Sequence, residues 1–151
     1  PEDEKNCGGP MAASISRDGK RAVSAGCNGR VILWDYPTRK IDGKPLVVYP
    51  RLTVSNPGLA ISANGDYVAV TSVDEDSAKG YLLSFSVFDC KTRRTIIGPI
   101  EMGSLGEVGS VDCLQFSPDS SRVAVGFQRL GRGVKVPKTE IQIWGISKEK
   151  E

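Results

Sequence analysis

The sequence predicts an all-β protein assembled from repeated antiparallel sheets. An apolar residue, an aromatic residue and then Asp or Gly occur together three times, as Leu33-Trp34-Asp35, Val87-Phe88-Asp89 and Ile143-Trp144-Gly145. No stretch shows the sustained 3.6-residue apolar period of a helix. The 17 glycines and 9 prolines are spread along the chain, a distribution typical of short strands joined by turns. Because internal repetition indicates an architecture before any local pattern does, we expect three similar units.

A polar turn and an apolar strand precede each of these signatures. The turns are Ser16-Arg17-Asp18-Gly19, Ser62-Ala63-Asn64-Gly65 and Ser117-Pro118-Asp119-Ser120. Asn28-Gly29 is a further turn signal, since a type I′ hairpin needs positive φ at both central residues. The predicted strands are 12–16, 21–25, 30–36 and 46–49 in the first unit, 59–62, 67–72, 81–89 and 95–100 in the second, and 110–117, 122–127 and 140–146 in the third.

The charge balance and hydropathy exclude several classes of partner. The 151 residues include 20 basic and 18 acidic side chains, which gives a formal net charge of +2. We therefore expect no nucleic-acid partner. No apolar run approaches the ~20 residues that cross a bilayer, so we expect no membrane partner. Residues 1–10 do not resemble a signal peptide. The expected location is the cytoplasm, with the nucleus left open.

The residue types needed for several kinds of chemistry are missing. Histidine is absent, and Cys7, Cys27, Cys90 and Cys113 show no Cys-x-x-Cys spacing, so a zinc site is not expected. Nucleophilic catalysis by a Ser-His or Cys-His pair needs an imidazole base. There is also no phosphate-binding Gly-x-x-x-x-Gly-Lys-Ser/Thr loop. We therefore expect no enzyme activity, no cofactor and no metal. Cys113 lies in an apolar run and is predicted to be a small core residue.

The order of turn, strand and aromatic signature resembles the WD-repeat family of β-propellers. The resemblance extends over roughly residues 11–150 and is best in the first copy. In that family a blade is a four-stranded antiparallel sheet of ~40–45 residues, and the blades pack face to face around a central channel. The resemblance implies that Trp34, Phe88 and Trp144 fill the spaces between sheets.

The resemblance divides the chain into an N-terminal tail, 1–10, and three blades, 11–57, 58–109 and 110–151. The last blade is expected to lack its fourth strand, because only a serine and four charged residues follow Ile146. Closed propellers have ~4–8 blades. We therefore predict a partial β-propeller of about three four-stranded antiparallel blades. Further blades of the same parent chain, another subunit or a symmetry mate would complete it.

Two insertions predict the functional surface. The distance from turn serine to signature aromatic is 18 residues in the first unit (16 to 34), 26 in the second (62 to 88) and 27 in the third (117 to 144). The extra residues are 73–80 and 129–138, and the resemblance implies that both lie on one rim. The candidate partner-binding residues are acidic in the first insertion and basic in the second: Asp74, Glu75, Asp76, Arg129, Arg132, Lys135 and Lys138.

Two interpretations of this rim stay open. In one, the opposite charges form a bipolar surface that docks a charged peptide or partner domain. In the other, the two segments pair with one another or are simply solvated, since exposed ion pairs are common and contribute only ~0–1 kcal/mol. The first interpretation predicts a non-enzymatic scaffold that binds a protein partner within a larger complex.

Two alternative functions also follow from resemblance. Gly43-Lys44-Pro45-Leu46 and Ile97-Gly98-Pro99-Ile100 each follow a signature, and they are similar to segments in the ligand-sensing propellers of large signalling ATPases. The other alternative is the non-catalytic propeller of a serine peptidase. In either case the catalytic module would lie outside these residues.

Overall fold

The computed structural model describes residues 10–26, 29–47, 58–76, 80–104, 108–129 and 138–147. Every helix or strand assigned in these ranges is a β-strand. The strands form three antiparallel sheets that follow one another along the chain. The prediction of an all-β partial propeller is confirmed. The boundaries proposed for the tail and the three blades remain predictions.

The first sheet contains strands β1 (Pro10–Ile15), β2 (Arg21–Gly26), β3 (Arg30–Asp35), β4 (Lys40–Ile41) and β5 (Leu46–Val47). Its order is β1-β2-β3, and both β4 and β5 pair with β3. Two-residue β4 was not among the predicted strands. It forms because the turn after β3 brings Ile41 opposite Trp34. The prediction of a two-residue turn centred on Asn28-Gly29 was wrong. Gly29 has the expected positive φ of 72°, but its N–H donates to the Gly26 carbonyl at 3.1 Å, and the pairing of Ala25 with Val31 leaves three residues between 26 and 30. Asn28 itself lies outside the described residues.

The second sheet has the order β6 (Leu59–Ile61), β7 (Tyr67–Asp76), β8 (Gly80–Asp89) and β9 (Thr95–Ser104). In the described part of the chain, the third sheet has three strands, β10 (Val108–Phe116), β11 (Arg122–Arg129) and β12 (Lys138–Gly145). Several of these strands are longer than predicted. The ladder between β7 and β8 continues past Val73 and Leu83 because both side chains are buried and hold the strands together.

Two apolar layers hold the three sheets in a stack. The layer between the first and second sheets contains Val23, Ala25, Val31, Leu33, Leu46, Ile61, Val68, Val70, Phe88 and Cys90. The layer between the second and third sheets is built around Phe85, Val87, Val123, Val125 and Phe127, all fully buried. The second sheet is therefore apolar on both faces, as a sheet between two neighbours must be. Strand β6 contacts both β1 and β10, so the first strands of the three sheets lie side by side.

The signature aromatics differ in what covers them. Phe88 is buried against the first sheet. Trp144 packs on the second sheet, with its ring centroid 6.0 Å from that of Phe85. These two fill spaces between sheets as predicted. Trp34 lies instead on the face of the first sheet that points away from the second, where its indole N–H donates to Ser24 Oγ at 2.9 Å.

The prediction that Cys113 is a core residue was wrong. The pairing of β10 with β11 is irregular between Val111 and Cys113. This bulge moves Cys113 onto the outer side of the third sheet, where the thiol is free and exposed. Cys90 is the buried cysteine, and burial raises the pKa of its thiol to about 12.

Candidate functional site

The described ends of the two predicted insertions lie at one edge of the stack. Pairing of β7 with β8 runs to Asp76 opposite Gly80, and pairing of β11 with β12 runs to Arg129 opposite Lys138. Strand β9 ends beside the first of these hairpins, and β10 begins beside the second. Consecutive Cα atoms are about 3.8 Å apart, so Ser104 and Val108 lie within about 15 Å of each other. We call this edge, with the described residues 73–76, 80, 104, 108, 129 and 138, the hairpin rim.

The acidic segment of the hairpin rim is an extension of a strand rather than a loop. Asp74, Glu75 and Asp76 belong to β7, and their backbones pair with Leu82, Tyr81 and Gly80 of β8. The sequence had placed the end of this strand at residue 72. Because backbone pairing fixes the segment along its length, the three acidic residues are carried on a regular hairpin.

The basic segment begins with an arginine that is bound within its own sheet. Arg129 Nε donates to Glu140 Oε1 at 2.7 Å, and its Nη2 donates to Glu140 Oε2 at 3.2 Å. The guanidinium also lies 5.6 Å from the ring centroid of Phe127. The hydrogen bond from Arg129 lowers the pKa of Glu140. Both members of the pair remain partly exposed, so its contribution to stability is modest.

Of the other three basic candidates, one lies in the described part of the chain. Lys138 begins β12 directly opposite Arg129 and is exposed. Arg132 and Lys135 lie outside the described residues. The structure thus brings Arg129, Lys138 and Glu140 together at the end of one hairpin.

The opposite edge carries a repeated polar network that sequence reasoning missed. In each turn before the second strand of a sheet, the serine hydroxyl lies at hydrogen-bond distance from the Asp or Asn two residues later. It also accepts a hydrogen bond from the backbone N–H five residues later. The Ser–Asx pairs are Ser16–Asp18 at 2.6 Å, Ser62–Asn64 at 2.7 Å and Ser117–Asp119 at 2.5 Å. The N–H donors are Arg21, Tyr67 and Arg122. We call this edge, residues 16–21, 36–42, 62–67, 90–94 and 117–122, the turn rim.

The signature aspartates also act at the turn rim. Asp35 accepts hydrogen bonds from the backbone N–H and the hydroxyl of Thr38, at 2.9 and 2.6 Å. Asp89 accepts the same two bonds from Thr92. Each aspartate therefore fixes the turn that follows the third strand. The spacing Asp-x-x-Thr in both copies was the available signal.

Side chains of the turn rim also connect one sheet to the next. Arg21 of the first sheet donates to the Gly65 carbonyl of the second at 2.9 Å. Arg93 of the second sheet donates to the backbone carbonyls of Asp42 and Lys44 in the first. The Asp42 carboxylate lies 3.6 Å from Arg21 and 3.7 Å from Arg93. Much of the turn rim is thus used to join the first two sheets.

A groove of about 330 Å³ lies where the first strands of the three sheets meet. Its lining includes Ser14, Arg17, Leu59, Gln115 and Ser117. Among the described residues, no three His, Cys, Asp or Glu side chains are grouped so that they could hold a metal ion. No helix in those residues has the length and hydropathy needed to cross a membrane.

Comparison with known proteins identifies the repeat and the fold. The family described as WD domain, G-beta repeat matches residues 6–35, a stretch that ends at the first signature aspartate. No curated protein matches the chain. Among solved structures, the tricorn protease matches with a TM-score of 0.63 and 18% identity. The match covers 94% of this chain and 14% of the tricorn protease chain, so this chain corresponds to a small part of that protein.

At 18% identity the structural match is informative about architecture. Its coverage of 94% of the chain includes all three sheets, whereas the family match is confined to the first. Residues 6–35 therefore match the WD domain, G-beta repeat family, within a chain that has the fold of part of a β-propeller.

Proposed function

We propose that this chain is a non-enzymatic interaction scaffold that docks a protein partner at the hairpin rim. The observation that supports this most is the length of the two hairpins, which extend at the same edge of neighbouring sheets. Insertions in repeat proteins collect on one face, and that face is often the one that binds. A regular hairpin also presents its residues on a rigid support, which lowers the entropy cost of binding.

The charges of the hairpin rim define the kind of partner. The β7 end carries three acidic residues, and segment 129–138 carries four basic ones. Arg129 is bound to Glu140, so we assign it the role of holding the β11–β12 hairpin rather than contacting the partner. The basic residues that contact the partner are then Arg132, Lys135 and Lys138. A peptide with an acidic segment followed by a basic one would be complementary to the two hairpins.

The absence of histidine supports the non-enzymatic part of the proposal. The chain has no imidazole in any of its 151 residues, and Ser-His and Cys-His catalysis both require one as the base. The buried thiol of Cys90 has its pKa raised to about 12 by desolvation. It is therefore protonated at neutral pH and unsuited to act as a nucleophile.

The proposal is tested with charge-reversed variants and synthetic charged peptides. We expect a peptide with acidic and basic blocks to bind the chain, and Arg132→Glu with Lys135→Glu to weaken that binding by ~10-fold or more in calorimetric titration. The matched control is Lys20→Glu with Lys91→Glu, which makes the same charge change on the turn rim. Equal effects of the two double variants, or no effect of either, would reject the hairpin rim as the site.

The tricorn protease match favours one alternative, the non-catalytic propeller of a peptidase. A propeller in that role would act on an extended substrate chain rather than on a docking motif. The two functions differ in where an unfolded polypeptide binds. Cross-linking of a reduced, unfolded protein to the groove beside Ser14 and Ser117, and not to the hairpin rim, would favour the peptidase role.

A further inference from the structure

The outer face of the third sheet exposes positions that are buried in the other two sheets. Strand pairing aligns the sheets residue by residue, so that Leu33, Val87 and Ile143 occupy one position. Leu33 and Val87 are each 0% exposed, but Ile143 is 66% exposed. In the first two sheets the next sheet covers this position. In the third sheet, no described residue does.

A second position on this face repeats the pattern. Val31 and Phe85 are both 0% exposed, and the matching residue Ile141 is 68% exposed. Opposite the two isoleucines on β11 lie the small residues Ala124 and Gly126. We call this surface, Ala124, Gly126, Ile141 and Ile143, the trailing face.

The outer face of the first sheet shows the complementary pattern. Trp34 occupies the position of Phe88, which is buried against the preceding sheet. Trp34 has no preceding sheet among the described residues and is half-buried. Two apolar neighbours are even more open, since Ile15 is 52% and Ile41 is 53% exposed. We call this surface, Ile15, Trp34 and Ile41, the leading face.

Each end of the stack also carries one member of a polar contact that the turn rim makes between the first and second sheets. Between the first and second sheets, Arg21 donates to the Gly65 carbonyl, and its side chain covers the Gly65 Cα. Arg122 of the third sheet occupies the position of Arg21 and is exposed. Gly19 of the first sheet occupies the position of Gly65, and the space where its Cβ would lie is open. One end of the stack thus carries the donor and the other end the acceptor.

We propose that a second copy of this chain covers both faces, with the trailing face of each copy packed on the leading face of the other. Arg122 of one copy donates to the Gly19 carbonyl of its partner, as Arg21 does to Gly65. Such a head-to-tail contact closes into a ring when the rotation allows it. Two copies of a three-sheet stack give a number of blades within the ~4–8 of closed propellers.

The features of the two faces favour a second copy over a peptide. The chain already carries both halves of the contact, in the geometry that joins its own first and second sheets. A peptide strand would pair with the backbone at the edge of the sheet, at β12, and would leave the isoleucines on the face uncovered. Burying apolar side chains such as these removes them from water and stabilises an interface.

The proposal is tested by sedimentation equilibrium of the purified 151-residue chain. We expect a species of twice the 16.2 kDa of one chain, and no larger ones, at micromolar concentration. Ile143→Asp places a carboxylate on the trailing face, and we expect it to raise the dissociation constant by ~100-fold or more. Ile96→Asp is the matched control, because it makes the same change at a residue that is 36% exposed and belongs to the second sheet, which carries neither face. Circular dichroism verifies that each variant is folded.

A mixing experiment separates the proposed contact from a face that pairs with itself. Ile143→Asp disables only the trailing face, and Ile15→Asp disables only the leading face. Each variant alone should be monomeric, and an equimolar mixture should form a one-to-one complex through the remaining intact pair. A monomeric native chain, a concentration-dependent series of larger oligomers, or a mixture that stays monomeric would each overturn the proposal.

Discussion

Asp119 shows how single residues fix the repeated turns. Its carboxylate accepts hydrogen bonds from the backbone N–H and the hydroxyl of Ser121 at 3.0 and 2.8 Å, and it lies 2.5 Å from Ser117 Oγ. These bonds, with the Ser117 contribution the largest, lower the pKa of Asp119 to about 2. The pKa values of Asp18 and Asp35 are lowered for the same reason, by Ser16 and by Thr38.

The lowered pKa of Asp119 predicts a specific acid sensitivity. In the unfolded chain an aspartate has a pKa of about 3.9, so between that pH and about 2 the unfolded state binds a proton that the folded state does not. Stability is therefore present above pH ~4 and is lost as pH falls towards 2. We expect the Asp119 carboxyl carbon to titrate with a midpoint near 2 by NMR. A midpoint at the ordinary aspartate value would show that the turn network does not form.

At the scale of the residue, the sequence predicted where the turns and signatures lie better than it predicted what their side chains bind. The turns and signatures lie where the repeats indicated. The contacts of Asp35 with Thr38, and of Arg21 with Gly65 in the next sheet, were not predicted. The sequence around Arg21 does not indicate which group its side chain binds. Its partner is 44 residues away and is brought near only by the packing of the sheets.

The strands themselves were predicted well where apolar residues alternate. They were predicted poorly where pairing with a neighbouring strand determines the length or the register. Strand β7 continues through the acidic residues Asp74 to Asp76 because β8 runs beside it, although acidic residues are depleted in strands. The bulge in β10 that exposes Cys113 depends on its register with β11. Single-sequence patterns carry little information about register, so neither feature followed from composition alone.

A variant of Arg93 tests how the first and second sheets are joined. Because its guanidinium binds two carbonyls of the first sheet, we expect Arg93→Ala to destabilise the joint between the first and second sheets by about 1–3 kcal/mol. Hydrogen exchange should then become faster in β3 and β5 and remain unchanged in β11 and β12. Arg94→Ala is the neighbouring control, since Arg94 is exposed. Uniform acceleration in all three sheets would contradict a local role for Arg93.

At the scale of the whole molecule, the chain is a stack with two unlike ends. Its interior layers are complete, with Phe85, Phe127 and Leu33 each 0% exposed. Its outer faces are apolar and open at Ile15, Ile141 and Ile143. The sequence predicted that faces would be left uncovered, because three repeats do not close a ring. It did not predict that Arg122 and Gly19, at opposite ends of the stack, match the donor and the acceptor of the Arg21–Gly65 contact. That match is visible only once the contact between the first and second sheets is known.

The covering of the trailing face by a second copy is tested most directly by the solvent exposure of the isoleucine methyl groups. This exposure is measured by NMR with a soluble paramagnetic agent, at a concentration where the chain is assembled. Ile61, which is 7% exposed, and Ile96, which is 36% exposed, supply the protected and open references in the same spectrum. If a second copy covers the trailing face, Ile141 and Ile143 are as protected as Ile61, and Ile15→Asp exposes them. Broadening of Ile141 and Ile143 like that of Ile96 in the native chain would show that nothing covers the trailing face.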